Sequence, residues 1–194
     1  MPQLTRSDLW SLEEYANRRS AFRTEMIAHK RLRSVHLGAN VTLLFEDEKT
    51  VRYQIQEMLR IERTFESAGI QDELDAYNPL IPDGGNLKAT MLIEYPDPQE
   101  RAERLRELRG VERQTWVRAD GYGKCFAIAD EDLERENADK TSSVHFLRFE
   151  LTADMRSALK GGAALGMGVD HPAYHVEIEE IAPETQTSLV ADLT

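Results

Sequence analysis

The sequence predicts an α+β protein in which a mostly antiparallel or mixed sheet packs against a long central helix at about residues 48–68, with several shorter helices. Two turn sequences support the antiparallel pairing. Gly38-Ala39-Asn40 and Asp120-Gly121-Tyr122-Gly123 each separate two strand-like segments, as in a β-hairpin. The connections are short and do not alternate regularly between strand and helix, and this pattern favours α+β.

The long helix is predicted at residues 49–69, the longest segment with an uninterrupted helical pattern. At about 100° per residue, its apolar side chains form one stripe toward the core. That stripe consists of Val51, Ile55, Met58, Leu59 and Phe65. Asp47 is predicted to cap the helix and Gly69 to end it. Glu62 projects from the middle of the stripe, where a carboxylate requires a partner or a function.

The other elements follow from caps, prolines and alternating apolar residues. In an N-terminal helical region at residues 5–33, one helix starts near Thr5 or Ser11, and a second amphipathic helix covers about residues 21–33. Further helices are predicted to start at or just after Asp97, Asp130, Thr152 and Pro183. Predicted strands cover residues 35–37, 41–45, 87–95, 115–119, 124–129, 143–151, 163–169 and 174–181.

A length of 194 residues is that of one ordinary domain, so we predict a single domain at 1–194, with the α+β core after the helical region. Hydrophobic content of 41% and charged content of 30% are globular values and exclude wholesale disorder. No segment has the roughly 20 consecutive apolar residues of a membrane span, and the first residues lack a signal-peptide pattern. We therefore expect a cytoplasmic protein that does not interact with membranes.

The net charge of −11 argues against general nucleic-acid binding, because binding to phosphates needs a basic surface. The charge is unevenly distributed. Residues 1–33 hold seven basic and four acidic residues, a net +3, and residues 169–194 hold six acidic residues and no Lys or Arg, a net −6. The two ends are expected to attract each other, or the acidic end faces a basic partner.

The common signatures of nucleotide-binding and hydrolytic sites are absent, since the chain has no GxxxxGK[ST], GxGxxG, GxSxG, HExxH or EF-hand motif. Cys125 is the only cysteine, so one chain can form neither an internal disulfide nor a cysteine-based zinc or iron–sulfur site. Any divalent metal must be held by histidine and carboxylate side chains.

Glu62 is the sharpest candidate for a functional residue, because a carboxylate in the core suits a general acid or base. The alternative is a buried salt bridge to Arg52, Arg63 or Arg148. A metal site would combine Glu62 with Asp83, His145 and His171, a set that suits iron, manganese or zinc. The wider set of candidate ligand-binding residues is Arg60, Glu62, Arg63, Asp83, Asn86 and Lys88.

The candidates lie in different kinds of segment. Arg60 and Arg63 carry guanidinium groups that can clamp carboxylates or phosphates. The loop at residues 78–86 contains two prolines and Asp-Gly-Gly-Asn, which is typical of a turn and can also bind an anion through backbone N–H groups. His145 lies in a predicted buried strand, where a structural hydrogen bond is the alternative to a ligand role. His171 lies in a loop at a strand end, which is either a turn or a site.

Four segments of the chain resemble an uncharacterised bacterial family, a domain of unknown function of about this length. The matching segments lie at residues 50–65, 73–97, 126–151 and 168–174, and the first two are TVRYQIQEMLRIERTF and ELDAYNPLIPDGGNLKATMLIEYPD. The resemblance covers essentially the whole chain. The family pattern has a Gly-Ser-Asn version of Gly84-Gly85-Asn86, which implies that position 85 does not require glycine. It also implies a genomic setting near rubrerythrin-like di-iron proteins and iron–sulfur proteins that resemble heterodisulfide reductase subunits.

The resemblance favours an accessory or binding protein that acts with a redox partner, a rubrerythrin-like or iron–sulfur protein, in oxidative-stress or electron-transfer metabolism. The acidic C-terminal region or the loop at residues 78–86 is the expected contact. The alternative is a metal- or small-molecule-binding enzyme or sensor that uses a pocket of Glu, Asp and His side chains. The sequence leaves both possibilities open.

Overall fold

The computed structural model describes residues 3–129 and 140–194, and its α+β architecture confirms the predicted fold class. The helix predicted to start at Asp130 lies outside the described residues. Within them, short 3₁₀ turns occur at Arg6–Asp8, Asn78–Leu80 and Val111–Gln114. The α-helices are α1 Leu12–Arg31, α2 Glu48–Glu62, α3 Ser67–Tyr77, α4 Pro98–Glu107, α5 Ala153–Lys160 and α6 Pro183–Val190.

The strands form two antiparallel sheets. They are β1 Ser34–Leu37, β2 Val41–Phe45, β3 Asn86–Ile93, β4 Thr115–Ala119, β5 Cys125–Phe126, β6 Ile128–Ala129, β7 Val144–Glu150, β8 Leu165–His171 and β9 Tyr174–Ile178. One sheet has the order β1-β2-β3-β7-β6, and the other has the order β5-β4-β8-β9. Both predicted hairpin turns are confirmed, since β1 pairs with β2 and β4 pairs with β5.

The strand predicted at residues 124–129 is divided between the two sheets. Its first part pairs with β4, and its second part pairs with β7. The division occurs at Ala127, whose backbone N–H donates to Thr115 O at 2.8 Å and whose side chain is buried. This short segment therefore links the edges of the two sheets, a role that local alternation of residues does not reveal.

The main core lies between the two sheets. Alternate residues of β2 and β3 point into it, as their burial alternates along the strand. The cluster also takes side chains from β4, β7 and β8, and from the inward faces of α4, α5 and α6. A hydroxyl of β9 ties the sheets together, because Tyr174 Oη donates to Leu37 O and accepts from Asn40 N at 3.2 Å.

The long central helix is shorter than predicted. It ends at Glu62, because Arg63 adopts a left-handed conformation with φ 55° and the N–H groups of Arg63 and Thr64 both donate to Leu59 O. A new helix, α3, begins at Ser67, so Gly69 lies inside a helix instead of ending one. The buried apolar side chains of α2 cluster with those of α3 and with Leu4 and Ile81.

The N-terminal helical region contains one 20-residue helix, α1, where two helices were predicted. Ser11 is its N-cap, and its side chain accepts from Glu14 N at 3.1 Å. The helix buries only Tyr15, Phe22 and Met26, a narrow stripe at i, i+7 and i+11. A stripe this narrow produces a weak amphipathic signal, which explains why the continuous helix was missed.

None of the helices in the described part of the chain is long and apolar enough to cross a membrane.

Candidate functional site

Glu62 does not occupy the core. Its side chain is exposed at the last residue of α2, and its charge contributes to raising the pKa of Glu73, a shift caused mainly by burial of Glu73. The predicted position within the apolar stripe was wrong because α2 ends there, and Phe65, the last member of that stripe, is 71% exposed. The helical angle was estimated correctly, but the final turn extends beyond the buried cluster.

The other predicted ligand-binding residues are held by local contacts. Arg60 donates to Glu57 Oε2 at 3.3 Å, and Arg63 is the exposed C-cap of α2. Asp83 Oδ1 accepts from Gly85 N at 2.9 Å, which closes a turn within the loop at residues 78–86. The two remaining residues fasten this loop to its surroundings. Asn86 Nδ2 donates to Glu150 Oε1 at 2.9 Å, and Lys88 Nζ donates to Pro79 O at 2.7 Å.

The two predicted histidine ligands have structural hydrogen bonds. His145 is fully buried, and its Nε2 lies 2.9 Å from Thr141 Oγ1 and 3.0 Å from Ser142 O. His171 Nε2 donates to Arg109 O at 3.0 Å, while its Nδ1 accepts from Ala173 N at 3.1 Å. In residues 3–129 and 140–194, no three His, Cys, Asp or Glu side chains are close enough to hold a metal ion. The structure therefore does not bring the predicted metal set together.

A cavity of about 580 Å³ lies elsewhere, between α1, the first turn of α2, the loop at residues 78–86 and the C-terminal segment. We call it the α1–α2 cavity. Its apolar lining residues are Trp10, Phe22, Ile81 and Pro82. Its polar lining comes from Glu25, His29, Asp47, Glu48, Lys49, Arg52 and Asp192. The volume is within the range of about 300–1,000 Å³ that is typical of small-molecule sites.

One wall of the cavity is a histidine–aspartate pair. His29 lies in the last turn of α1, and Asp47 is the N-cap of α2. His29 Nε2 is 2.6 Å from Asp47 Oδ2. Because a carboxylate only accepts hydrogen bonds, Nε2 is the donor, and Nδ1 is the nitrogen left for a proton or a ligand. The other oxygen of Asp47 accepts from Thr50 N at 2.8 Å, so the helix N-terminus fixes the carboxylate.

Arg33 is buried next to this pair and lies outside the cavity lining. Its side chain is 2% exposed, and its Nε is 3.5 Å from Asp47 Oδ2. Its Nη2 forms an ion pair with Asp192, and its N–H groups also donate to three backbone carbonyls at 3.0–3.1 Å. The carbonyls belong to Phe45, Glu46 and Ser188. The hydrogen-bonding capacity of the guanidinium is therefore satisfied inside the protein.

The Arg33–Asp192 ion pair joins the basic N-terminal region to the acidic C-terminal region, as the first of the two charge predictions expected. Burial raises the pKa of Asp192, although the charge of Arg33 opposes this effect. With both carboxylates ionised, the formal charge of His29, Arg33, Asp47 and Asp192 is −1 when the imidazole is neutral and zero when it is protonated. This wall thus changes its charge by one when His29 exchanges a proton.

Another part of the cavity lining is aromatic and cationic. The Trp10 and Phe22 rings pack edge to face, with centroids 5.0 Å apart and an interplanar angle of 80°. The guanidinium carbon of Arg52 lies 4.3 Å from the centroid of the Trp10 ring. Arg52 Nε is buried and has no hydrogen-bond partner within the described residues. At the rim of the cavity, Lys49 forms an ion pair with Glu25.

The sequence contained only weak signals of this site. Asp47 was identified as a cap, and Arg33 entered only as one of the seven basic residues of the N-terminal region. His29 lies in the last turn of α1, and Arg33 follows the end of that helix, directly before β1, so no helical spacing links the two side chains. The loop at residues 78–86 does contribute to the site, through Ile81 and Pro82 instead of through its polar residues.

Comparisons with known proteins place the chain in a family. The family model described as "Protein of unknown function (DUF3501)" matches residues 3–193. A crystal structure described as a novel protein of unknown function from Burkholderia pseudomallei K96243 is 51% identical to this chain, covers 100% of both chains and has a TM-score of 0.95. No curated protein matches. These descriptions name no activity, ligand or partner, so the redox partner stays a prediction. The resemblance to an uncharacterised family is confirmed, and the chain belongs to the DUF3501 family of proteins of unknown function.

Proposed function

We propose that this protein binds a small organic molecule in the α1–α2 cavity and that His29 exchanges a proton with the bound molecule. The observation that carries the proposal is the hydrogen bond of 2.6 Å between His29 Nε2 and Asp47 Oδ2 in the wall of a 580 Å³ cavity. Sites of this kind combine an apolar lining with a few fixed polar groups. The proposal keeps the predicted chemistry of a Glu, Asp and His pocket but assigns it to other residues.

The arrangement suits acid–base chemistry because each group is held in one orientation. Asp47 is fixed by the N-terminus of α2 and by Arg33, and it holds the imidazole of His29 in one tautomer. A carboxylate plays this orienting role for the histidine base of many hydrolases. His29 Nδ1 is then available to take a proton from a ligand or return one to it.

Histidine NMR tests the proposal. Protein labelled with ¹⁵N-histidine is titrated with a library of small acids, amines and amides at millimolar concentration, and the resonances of His29 are assigned with the His29→Gln variant. A molecule that binds in the cavity is expected to shift the imidazole resonances of His29. The resonances of His145 serve as an internal control, because that ring is buried and bonded to Thr141 and Ser142.

Proton exchange is tested by the pH profile of binding. The affinity of a molecule that exchanges a proton with His29 is expected to depend on pH in the unmodified protein and to lose that dependence in His29→Gln. Circular dichroism checks that the variant keeps its fold. If no molecule in the library shifts the resonances of His29, the proposed function is wrong.

A further inference from the structure

The cations in the wall of the α1–α2 cavity differ in how they are paired. Lys49 bonds to Glu25, and His29 bonds to Asp47. Arg52 instead lies on the Trp10 ring, and its Nε–H is buried with no acceptor among the described residues. Hydrogen bonds donated by Thr5 are the main cause of the lowered pKa of Asp8, and the charge of Arg52 contributes least to it. Arg52 thus has a positive charge and a buried donor that the protein leaves without a hydrogen-bond partner.

A buried donor without an acceptor is costly, and such groups in native proteins call for an explanation. The guanidinium carbon of Arg52 lies 4.3 Å from the centroid of the Trp10 ring, and the N–H groups of a guanidinium form hydrogen bonds in its own plane. A carboxylate matches this planar set of donors and forms charge-assisted hydrogen bonds with it. The first turn of α2 also lines the cavity through Glu48 and Lys49, and the positive end of the helix dipole favours an anion there.

The remaining walls limit the rest of the ligand. Trp10, Phe22, Ile81 and Pro82 give an apolar and largely aromatic surface, against which a flat ring packs well. Four carboxylates line the cavity, those of Glu25, Asp47, Glu48 and Asp192. Three of them have partners in Lys49, His29 and Arg33. These carboxylates repel an anion, and a second negative charge on the ligand doubles that repulsion. The charge balance therefore favours one negative charge over two.

We infer that the ligand of the α1–α2 cavity is a flat aromatic molecule with a single carboxylate, and that Arg52 binds this carboxylate. The inference rests on the proposed function, since it specifies what the cavity binds. It assigns a binding role to Arg52 and leaves proton exchange to His29.

Four probes that share a phenyl ring test which charge the cavity prefers on its ligand: benzoate, its neutral analogue benzamide, the cation benzylamine and the dianion phenyl phosphate. Binding is followed by the indole ¹⁵N–H resonance of Trp10, with Trp116, which is fully buried in the sheet, as the internal control. Benzoate is expected to bind the unmodified protein more tightly than the other three. Arg52→Gln is expected to weaken benzoate at least about tenfold, because one charge-assisted hydrogen bond is lost, and to leave benzamide unchanged.

Arg60→Gln is the matched control, since Arg60 lies about two turns further along α2 and outside the cavity lining. It is expected to bind benzoate as the unmodified protein does. The inference is wrong if benzamide or benzylamine binds as tightly as benzoate, or if Arg52→Gln keeps its benzoate affinity. Tighter binding of phenyl phosphate contradicts the assignment to a carboxylate. In all these cases the shifts of Trp10 and His29 still show binding in the cavity, so the proposed function stands. The absence of a shift with any of the four probes also overturns the inference, whereas the proposed function is judged by the whole library of small molecules.

Discussion

Glu57 joins the two helices that enclose the α1–α2 cavity, and its replacement gives a sharp test of this architecture. Its carboxylate accepts from Arg19 Nε at 2.7 Å, from Arg19 Nη2 at 2.8 Å and from Tyr15 Oη at 2.6 Å, all across the contact between α1 and α2. Arg60 adds a longer hydrogen bond at 3.3 Å. The Glu57→Gln variant keeps the shape of the side chain and removes its negative charge.

The expected loss of stability follows from the pKa of Glu57. The bidentate hydrogen bond from Arg19 lowers it from 4.5 to about 2, with smaller contributions from Tyr15 and Arg60 and an opposing effect of burial. At about 1.4 kcal/mol per pKa unit, this difference corresponds to about 3.5 kcal/mol. Because 31% of the Arg19 side chain is exposed and the pair is partly screened, we expect Glu57→Gln to lower the free energy of unfolding by about 2 kcal/mol at pH 7.

The sign of the pH dependence is also fixed. The pKa of Glu57 is lower in the folded protein than in the unfolded chain, so the folded protein binds fewer protons. The stabilisation is therefore complete above about pH 4.5 and is lost as the pH falls through about 2. The difference in unfolding free energy between unmodified protein and Glu57→Gln is expected to fall to less than half of its neutral value by about pH 3.

Urea unfolding at pH 7, 5 and 3, followed by circular dichroism, measures this difference. Glu14→Gln is the matched control, because Glu14 also lies on α1 and forms an exposed i, i+4 ion pair with Arg18. Its expected loss is below about 0.5 kcal/mol at every pH. The reasoning is refuted if Glu57→Gln loses no more stability than this control, or if its loss is the same at pH 3 as at pH 7.

The same unfolding assay checks three further predictions. Arg33→Met is expected to cost about 3–5 kcal/mol, because it leaves buried acceptors unpaired, and a loss below about 1 kcal/mol contradicts this role. Gly84→Ala is expected to cost about 1–2 kcal/mol, because φ is +94° and the new Cβ lies 2.5 Å from Thr194 Oγ1. Its control, Gly85→Ala, is expected to change the free energy of unfolding by less than about 1 kcal/mol. Equal losses in the two variants contradict this prediction. Tyr174→Phe is expected to cost about 1–3 kcal/mol by removing a hydrogen bond between the sheets, and no loss contradicts this function.

Elements set by local chemistry were predicted well. Asp47 caps α2, Asp97 caps α4 and Thr152 caps α5, each through a side chain that accepts from the first turn of its helix. Alternating apolar residues placed β2 and β3, since one face of each strand is buried. Each of these features depends on residues a few positions apart, so the sequence alone carries the necessary information.

The end of α2 shows where this reasoning failed. Arg63 adopts a left-handed conformation that glycine usually occupies, so no residue type marked the helix end. Glu62 had the helical angle of a buried residue, but burial also requires another element to cover that turn. The candidate site built on Glu62 failed for this reason, and the two histidines grouped with it bond instead to Thr141 and to the backbone of Arg109.

The sequence by itself determined the α+β class, the hairpin turns, most helix caps and membership in a family that the chain matches from residue 3 to residue 193. Only the tertiary structure decided where the cavity lies and which charges are buried beside it. Arg33 makes this clear, because its acceptors include Phe45 and Asp192, which are 12 and 159 positions away along the chain. Contacts at such separations depend on how whole helices and strands pack together, and a local pattern of residues does not determine that packing.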